Sequence, residues 1–388
     1  MNSDQDEIHV DRNKLYPATF TSALLLTLAS SPAAADILIG ELADTKLSMF
    51  GIIDVGLLYQ SEANPSEDRR VSVETSGLRQ SVIGFKGERP LSETTKAFFN
   101  LEAHFDTDNG YFHGTGDPDG GDGILFRRQA NLGVSGDWGS LTAGRQYGPA
   151  LLAHIGTEPR AFKEQFSNLY GWAYNQLLTT NGAQGLNTNN DVGIFFSDSL
   201  QYRHSIGGLS FGILYSFGGQ VGTVSDNSVW AFGATYNGPV VLSASYQRMK
   251  DQDTGNDNIS HWGAGAAVPF GDFTAKINYL GTEEEDSNGI EVADFSGIGV
   301  GIDWRWRKGH TATLAYYKNE NETTDGDDTK NLVLSNDWAI RPDTTLYIQA
   351  AFVDAGAAAS LRTSIVADGN PVQDESTAYI NVGLNYNF

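Results

Sequence analysis

Apolar residues recur at every second position along most of the chain from residue 46 onward, in short stretches separated by polar segments. Residues 297–306 (GIGVGIDWRW) are a clear example, because Ile, Val and Trp alternate there with Gly, Asp and Arg. A period of two predicts β-strands with one apolar face, whereas a helix would repeat every three to four residues. We count sixteen such stretches, an even number that suits an antiparallel barrel with both termini at one rim.

The connections between these stretches alternate in length. Gly, Pro, Asn and Asp dominate the short ones, such as residues 207–208, 237–239 and 270–272, as tight turns require. The connections between them are longer and polar, and residues 149–194 form the longest. Short turns at one rim and long loops at the other are typical of an outer-membrane barrel. The predicted fold is therefore all-β, a sixteen-stranded antiparallel transmembrane β-barrel.

Aromatic residues distinguish this fold from a soluble β-sandwich or propeller, which would also show alternation and turns. They cluster at the ends of the predicted strands, as at Tyr236, Tyr279, Trp304 and Tyr386. In a membrane barrel those positions lie at the lipid–water interfaces, where an amphipathic ring is stable. The opposite strand face is rich in Gly, Ser, Asn and Gln, which suits a water-filled lumen.

Composition narrows the function. The 388 residues include 48 acidic and 25 basic side chains, and the net charge of -23 argues against a nucleic-acid partner. The chain has no cysteine, so thiolate metal sites and thiol nucleophiles are excluded. The histidines are scattered without zinc-ligand spacing, and the acidic run 117–122 lacks the bidentate Glu of a calcium loop. The sequence predicts no cofactor and no metal site.

Residues 1–35 have the pattern of a secretory signal peptide. An apolar run at 18–29 precedes an Ala-rich cleavage motif, and cleavage is predicted before Asp36. Acidic residues outnumber basic ones before the run, so translation is expected to begin later than Met1. The barrel is predicted to occupy residues 36–388.

Several segments resemble, in the same order along the chain, strands of a known protein family. LSMFGIIDVG at 47–56 resembles the first strand of the general (non-specific) porins of Gram-negative outer membranes. SVIGFKG at 81–87, FRRQANLGVS at 126–135 and AGRQYG at 143–148 are similar to later strands of that family. The chain ends YINVGLNYNF at 379–388. Porins similarly end in a Phe that the barrel-assembly machinery recognises, and the resemblance gives this role to Phe388.

The resemblance implies a homotrimer of barrels, in contact with outer-membrane lipid and lipopolysaccharide, in which the third external loop folds into the lumen. That loop corresponds to residues 149–194, and its apolar side chains are expected to anchor it to the wall. In the family, loop acids face an arginine cluster across a constriction. The candidate constriction residues carried over are Arg145, Arg128, Arg203, Lys86, Glu158 and Glu164.

Three of these candidates also have a plainer interpretation. Arg145 could tie the loop to the wall by a salt bridge, and one of Glu158 and Glu164 could be a solvated loop acid beside Arg160 and Lys163. Asp54 is expected to be a wall or subunit-interface residue rather than a solute ligand.

Two departures from the motifs suggest a thinned arginine cluster. Val82 stands where the second strand usually carries arginine, and Phe195 replaces another arginine. With the acidic net charge, this pattern predicts a cation preference.

The function expected is passive diffusion of small hydrophilic solutes and ions through an outer-membrane channel, without catalysis. A substrate-selective porin for sugars or organic acids is the nearest alternative. An outer-membrane barrel enzyme or an adhesin is a more distant one, because the chain shows no persuasive catalytic constellation.

Overall fold

The described strands pair antiparallel in chain order and close into a barrel, which confirms the predicted fold. The computed structural model describes residues 36–42, 44–66, 68–112, 125–174, 187–361, 363 and 372–388. The last strand, β19 (Ser376–Asn387), pairs with β2 (Thr45–Gln60), and this pairing closes a sixteen-stranded ring among the described residues.

The remaining strands have the following bounds: β1 (Ile37–Leu42), β3 (Arg70–Thr75), β4 (Val82–Pro90), β5 (Thr95–His104), β6 (Gln129–Gly136), β7 (Gly139–Tyr147), β8 (Asn190–Asp191), β9 (Phe195–Ile206), β10 (Leu209–Ser216), β11 (Val229–Asn237), β12 (Val241–Lys250), β13 (Asp257–Phe270), β14 (Phe273–Glu285), β15 (Glu291–Arg307), β16 (His310–Asn321), β17 (Asp328–Arg341) and β18 (Thr344–Ala355).

Three short strands account for the difference between nineteen segments and a ring of sixteen. β1 forms a hairpin with the first half of β2. β8 adds a two-residue pairing to β9. β3 and β4 both pair with β2, the first with its second half and the second with its first half, so they form one interrupted strand of the ring.

The strands bury polar residues inside the barrel and expose apolar residues outside. Outward side chains such as Leu57, Ile213 and Leu314 are about half exposed, as lipid-facing residues are in an isolated barrel. Inward side chains include Gln349 and Asn381, which are fully buried. The predicted alternation is therefore present, with its polar face toward the lumen.

Aromatic side chains form a belt on the outer surface near the short turns. Successive rings of Phe270, Phe273, Trp304 and Trp306 lie with centroids 5.6, 5.8 and 6.5 Å apart. Such a belt is expected at a lipid–water interface. No helix among the described residues is long and apolar enough to cross a bilayer.

Some strands extend further than the alternation predicted. β3 lies within one of the connections predicted to be long polar loops, and β13, β14, β15 and β17 continue into others. These extensions carry polar side chains such as Glu283 and Lys330 on their outer face. Strand pairing persists beyond the apolar belt, but the alternation that identifies a half-apolar strand does not.

Candidate functional site

The described parts of the long inner loop, residues 149–174 and 187–194, lie inside the barrel after β7. Its first element is the short helix α1 (Pro149–His154), which begins with Pro at its first position. The backbone nitrogen at that position has no hydrogen-bond partner within a helix, so proline costs nothing there. Every residue of α1 is buried. Glycines on the inner wall make room for it: a Cβ at Gly233 would collide with the Pro149 carbonyl oxygen, and one at Gly212 would lie 2.8 Å from the Pro149 ring.

His154 fixes the end of α1 to the wall. Its Nδ1 lies 2.8 Å from Ser243 Oγ and its Nε2 lies 2.7 Å from Ser245 Oγ, both on β12. The imidazole is fully buried, and burial lowers the pKa of His154 to about 4. The docked loop therefore holds a neutral histidine.

We expect acid to weaken the docking of α1. A released imidazole has a pKa of about 6.5, so the released state binds the proton between about pH 6.5 and pH 4 while the docked state does not. Stability from docking is complete above about pH 6.5 and falls, by up to about 3 kcal/mol, as the pH drops toward 4. Urea unfolding in detergent across this range measures the loss.

The control for this prediction is His154→Gln, which keeps hydrogen-bonding groups and cannot titrate. Burial raises the pKa of Glu158, so its protonation stabilises the docked state as pH falls and opposes the histidine effect. The difference between wild type and variant isolates His154. Parallel pH profiles for the two proteins would contradict the prediction.

The far part of the inner loop is fixed to the opposite wall. Tyr317 Oη donates to Glu158 Oε1 at 2.6 Å, and Asn381 Nδ2 donates to Gln165 Oε1 at 2.5 Å. Trp172, in a π-helical turn at Tyr170–Tyr174, donates to the Gly281 carbonyl at 3.1 Å. The apolar loop residues pack in buried clusters with wall residues; they are Leu151, Leu152, Ile155, Phe162, Phe166, Leu169 and Trp172.

A second segment also turns into the lumen. Residues 76–81, which we call the inward segment, join β3 to β4. The amide of Glu164 in the inner loop donates to the Leu78 carbonyl at 3.3 Å. Gln349 on β18 touches both segments, because its Nε2 donates to the Gly77 carbonyl at 2.9 Å and its Oε1 accepts from Arg160. The two segments are therefore held against each other.

Arginines on the wall are paired with acids. Asp191 on β8 accepts from Arg127 at 2.6 and 2.7 Å and from Arg145 at 2.5 Å. Arg128 forms an ion pair with Glu102. The Arg128 guanidinium also lies 5.3 Å from the Tyr147 ring centroid and 5.5 Å from that of Phe195, within cation–π range.

A central cavity of about 440 Å³ lies between the inner loop, the inward segment and the wall. Its charged lining among the described residues comprises Arg79, Arg128, Arg160, Lys163, Glu164 and Asp337. A second cavity of about 680 Å³, the vestibule, lies at the short-turn rim against Pro149 and Arg203. Leu152 lines both, so α1 stands between them.

Comparison with known proteins gives the family. A model of the Gram-negative porin family matches residues 21–358. The chain belongs to the Gram-negative porin family. Outer membrane porin protein 32 of Delftia acidovorans is 24% identical over 343 residues, covering 78% of this chain and 90% of that protein. Family and relative place this porin in the outer membrane.

Solved porin structures share its fold. The anion-selective porin from Comamonas acidovorans superimposes with a TM-score of 0.74 at 21% identity, covering 89% of this chain and 100% of that one. OmpT of Vibrio cholerae, in its trimer form, superimposes with a TM-score of 0.60 at 12% identity, covering 89% and 99%.

The porin fold brings some predicted constriction residues together and separates others. Arg128 and Glu164 line the central cavity. Arg145 lies against the wall and bonds Asp191, and Glu158 is fully buried among Tyr317 and loop amides.

The other two candidates lie away from that cavity. Arg203 lines the vestibule, where its Nη2 donates to the Tyr147 carbonyl at 3.1 Å. Lys86 pairs with Asp36 at 2.5 Å. The acidic run 117–122 and residues 1–35 lie outside the described residues.

Sequence reasoning missed several charged residues of this site, among them Asp337, which lines the central cavity. Arg79 lies three positions before Val82, where the motif carries arginine, and the inward segment brings it to the central cavity. Arg127 lies in the segment that resembles a family strand, and Asp191 lies near the end of the predicted loop 149–194, yet the two form a buried ion pair. The wall therefore holds more arginine than the motif positions suggested. The one available signal was the arginine pair at 127–128 itself.

Proposed function

We propose that this porin is a water-filled channel for passive diffusion of small hydrophilic solutes and ions, without catalysis. The inner loop narrows the channel, and solutes pass between that loop and the arginine wall. The observation that carries the proposal is the central cavity, which lies between loop and wall and has a polar, charged lining.

We further propose that the channel prefers anions. Four of the charged residues lining the central cavity are basic, namely Arg79, Arg128, Arg160 and Lys163, and two are acidic, namely Glu164 and Asp337. Charge of one sign in a narrow, low-dielectric passage raises the local concentration of counter-ions. The anion selectivity in the description of the Comamonas acidovorans porin agrees with this sign.

The cation preference expected from the sequence finds no support in this lining. It rested on the thinned arginine cluster of the motif positions and on the acidic net charge, which counts every residue equally. Many acids, such as Asp286 and Glu291, lie at the long-loop rim. The Debye length is about 8 Å at physiological ionic strength, so exposed charges further away contribute little at the narrow passage.

We propose a homotrimer as the working assembly, as in the trimer form of Vibrio cholerae OmpT. Outer-membrane lipid and lipopolysaccharide would surround it, and the barrel-assembly machinery would recognise Phe388 before closure. In the closed barrel Phe388 exchanges backbone hydrogen bonds with Gly51 at 2.8 and 3.0 Å. Cross-linking of purified protein followed by denaturing electrophoresis tests the stoichiometry.

The channel proposal is tested by conductance and reversal potential in planar bilayers under a potassium chloride gradient. We expect stable conductance and a reversal potential of the sign given by chloride preference. Arg79→Gln should reduce that preference, whereas Lys330→Gln, which changes an exposed outer-face lysine, should leave it unchanged. A cation-type reversal potential would refute anion preference, and absence of conductance would refute the channel.

A further inference from the structure

Strand β2 faces an unusual partner around Asp54. Val55 pairs with Thr75 at the end of β3, and Ile52 pairs with Val82 at the start of β4. Two residues of β2, 53 and 54, therefore stand opposite six residues, 76–81. The extra residues leave the sheet and form the inward segment, so something other than strand pairing must hold them.

The Asp54 side chain supplies that hold. Its carboxylate accepts hydrogen bonds from three consecutive amides of the inward segment, those of Gly77, Leu78 and Arg79, at 2.8, 3.0 and 3.1 Å. Asp54 is fully buried. A carboxylate can accept several such bonds at once, and bonds to an ionised acceptor are stronger than neutral ones.

The Asp54 backbone holds both ends of the same segment. Its carbonyl accepts from the Ser76 amide at 3.2 Å, and its amide donates to Ser81 Oγ at 2.9 Å. One residue of β2 therefore binds the beginning, the middle and the end of the inward segment.

Neighbouring strands hold the carboxylate in turn. Tyr347 Oη donates to it at 2.8 Å and Asn385 Nδ2 at 2.9 Å. Tyr347 on β18 pairs with Gly383 on β19, which in turn pairs with Gly56 on β2. The aromatic ring of Tyr347 therefore passes over two residues that lack side chains. A Cβ at Gly383 would collide with the Tyr347 ring. The wall is thus shaped to bring this hydroxyl to Asp54.

We propose that Asp54 is a positioning residue for ion selection: it fixes the inward segment so that Arg79 faces the central cavity. The inference rests on the proposed function. Val82, at the motif position for arginine, begins β4 and is buried, while Arg79 lines the cavity with Arg128 and Glu164. Asp54 acts on the passing ion through Arg79 and does not line the cavity itself.

The sign of a charge-removing substitution tests this role. If Asp54 acted only as a negative charge beside the pore, Asp54→Asn would increase anion preference. An asparagine side chain has one acceptor oxygen and a donor amide, so it cannot serve three amides, and the inward segment is released. We therefore expect Asp54→Asn to decrease anion preference toward the value of Arg79→Gln.

A double-mutant cycle distinguishes a positioning role of Asp54 from an effect on selectivity that is independent of Arg79. In the Arg79→Gln background, Asp54→Asn should cause no further fall in anion preference, because the two changes remove one effect. Reversal potential is measured for the wild type, both single variants and the double variant, all with barrels shown to be folded by heat-modifiable electrophoretic mobility.

Asp327→Asn is the matched control. Asp327 is a buried carboxylate that also binds a loop, through the Ser360 amide at 2.6 Å and Asn321 Nδ2 at 3.0 Å, but it does not line the central cavity. We expect its loss to leave the reversal potential unchanged. If Asp54→Asn does not fold, Tyr347→Phe removes one donor to Asp54 and should shift selectivity in the same direction by less.

The outcomes distinguish the inference from the function beneath it. An unchanged reversal potential in Arg79→Gln refutes the proposed selectivity mechanism. A fall in anion preference in Arg79→Gln, together with a rise or no change in folded Asp54→Asn, overturns the positioning role alone. A further fall in the double variant also overturns it.

Discussion

Asp191→Asn is expected to lower the free energy of unfolding by about 3–5 kcal/mol, the usual effect of removing one partner of a buried ion pair. Asp191 neutralises Arg127 and Arg145 where the inner loop rejoins the wall, and its carboxylate and the Arg127 side chain are both buried. The substitution leaves two guanidinium groups beside a neutral amide. Urea unfolding in detergent micelles, followed by tryptophan fluorescence, measures the change.

The same substitution should increase anion preference, because it adds uncompensated positive charge to the inner wall. Asp257→Asn is the matched control. Asp257 pairs with Arg248 at 2.9 Å on the outer face, where both side chains are more than a third exposed. Exposed pairs contribute roughly 0–1 kcal/mol. Equal losses of stability in the two variants would show that Asp191 has no special place in the wall.

The fold was predictable because each membrane-spanning strand of a barrel alternates apolar and polar residues. Apolar and polar residues alternate without exception at 297–306. These residues form the C-terminal part of β15, where Ile298 and Val300 are exposed on the outer surface. Lipid imposes this alternation locally, so no knowledge of distant contacts is needed. β3 was missed although Val71 and Val73 alternate with Ser72 and Glu74, because this alternation is only a few residues long and stands inside a polar segment.

The site was less predictable because its charges depend on long-range contacts. Glu158 was expected to face the constriction, or else to be a solvated loop acid, but Tyr317 on β16 and two loop amides surround it in the fold. Arg79 is absent from the motif position, and only the excursion between β3 and β4 brings it to the cavity. A motif specifies a residue's place in a strand, whereas a bulge or loop decides where a side chain finally lies.

Charge illustrates the same limit. The net charge of -23 sums all charged residues, and the fold distributes these residues between rim, wall and cavity. Glu102 and Asp191 are neutralised by wall arginines. Basic residues outnumber acidic ones by four to two in the lining of the central cavity, so the local sign opposes the global one. For a channel, the charges on the narrow passage and within about a Debye length of it dominate the selectivity argument.

Gly233→Val is expected to release α1 from the wall and raise single-channel conductance. Its Cβ would collide with the Pro149 backbone, which cannot move aside as a flexible side chain can. Overpacking costs about 1–3 kcal/mol, which corresponds to roughly 5- to 150-fold in the balance between docked and released loop. Released loop no longer narrows the passage, so anion preference should fall as conductance rises.

Gly40→Val is the control for the added side chain itself. Gly40 lies on β1, and no heavy atom lies within 4 Å of a Cβ placed there. We expect its conductance and selectivity to match the wild type. Single-channel recordings of both variants, on barrels that keep heat-modifiable mobility, provide the comparison. A folded Gly233→Val barrel with wild-type conductance would mean that the inner loop does not narrow the passage through its contact with β11, and the constriction would then have to lie at the inward segment alone.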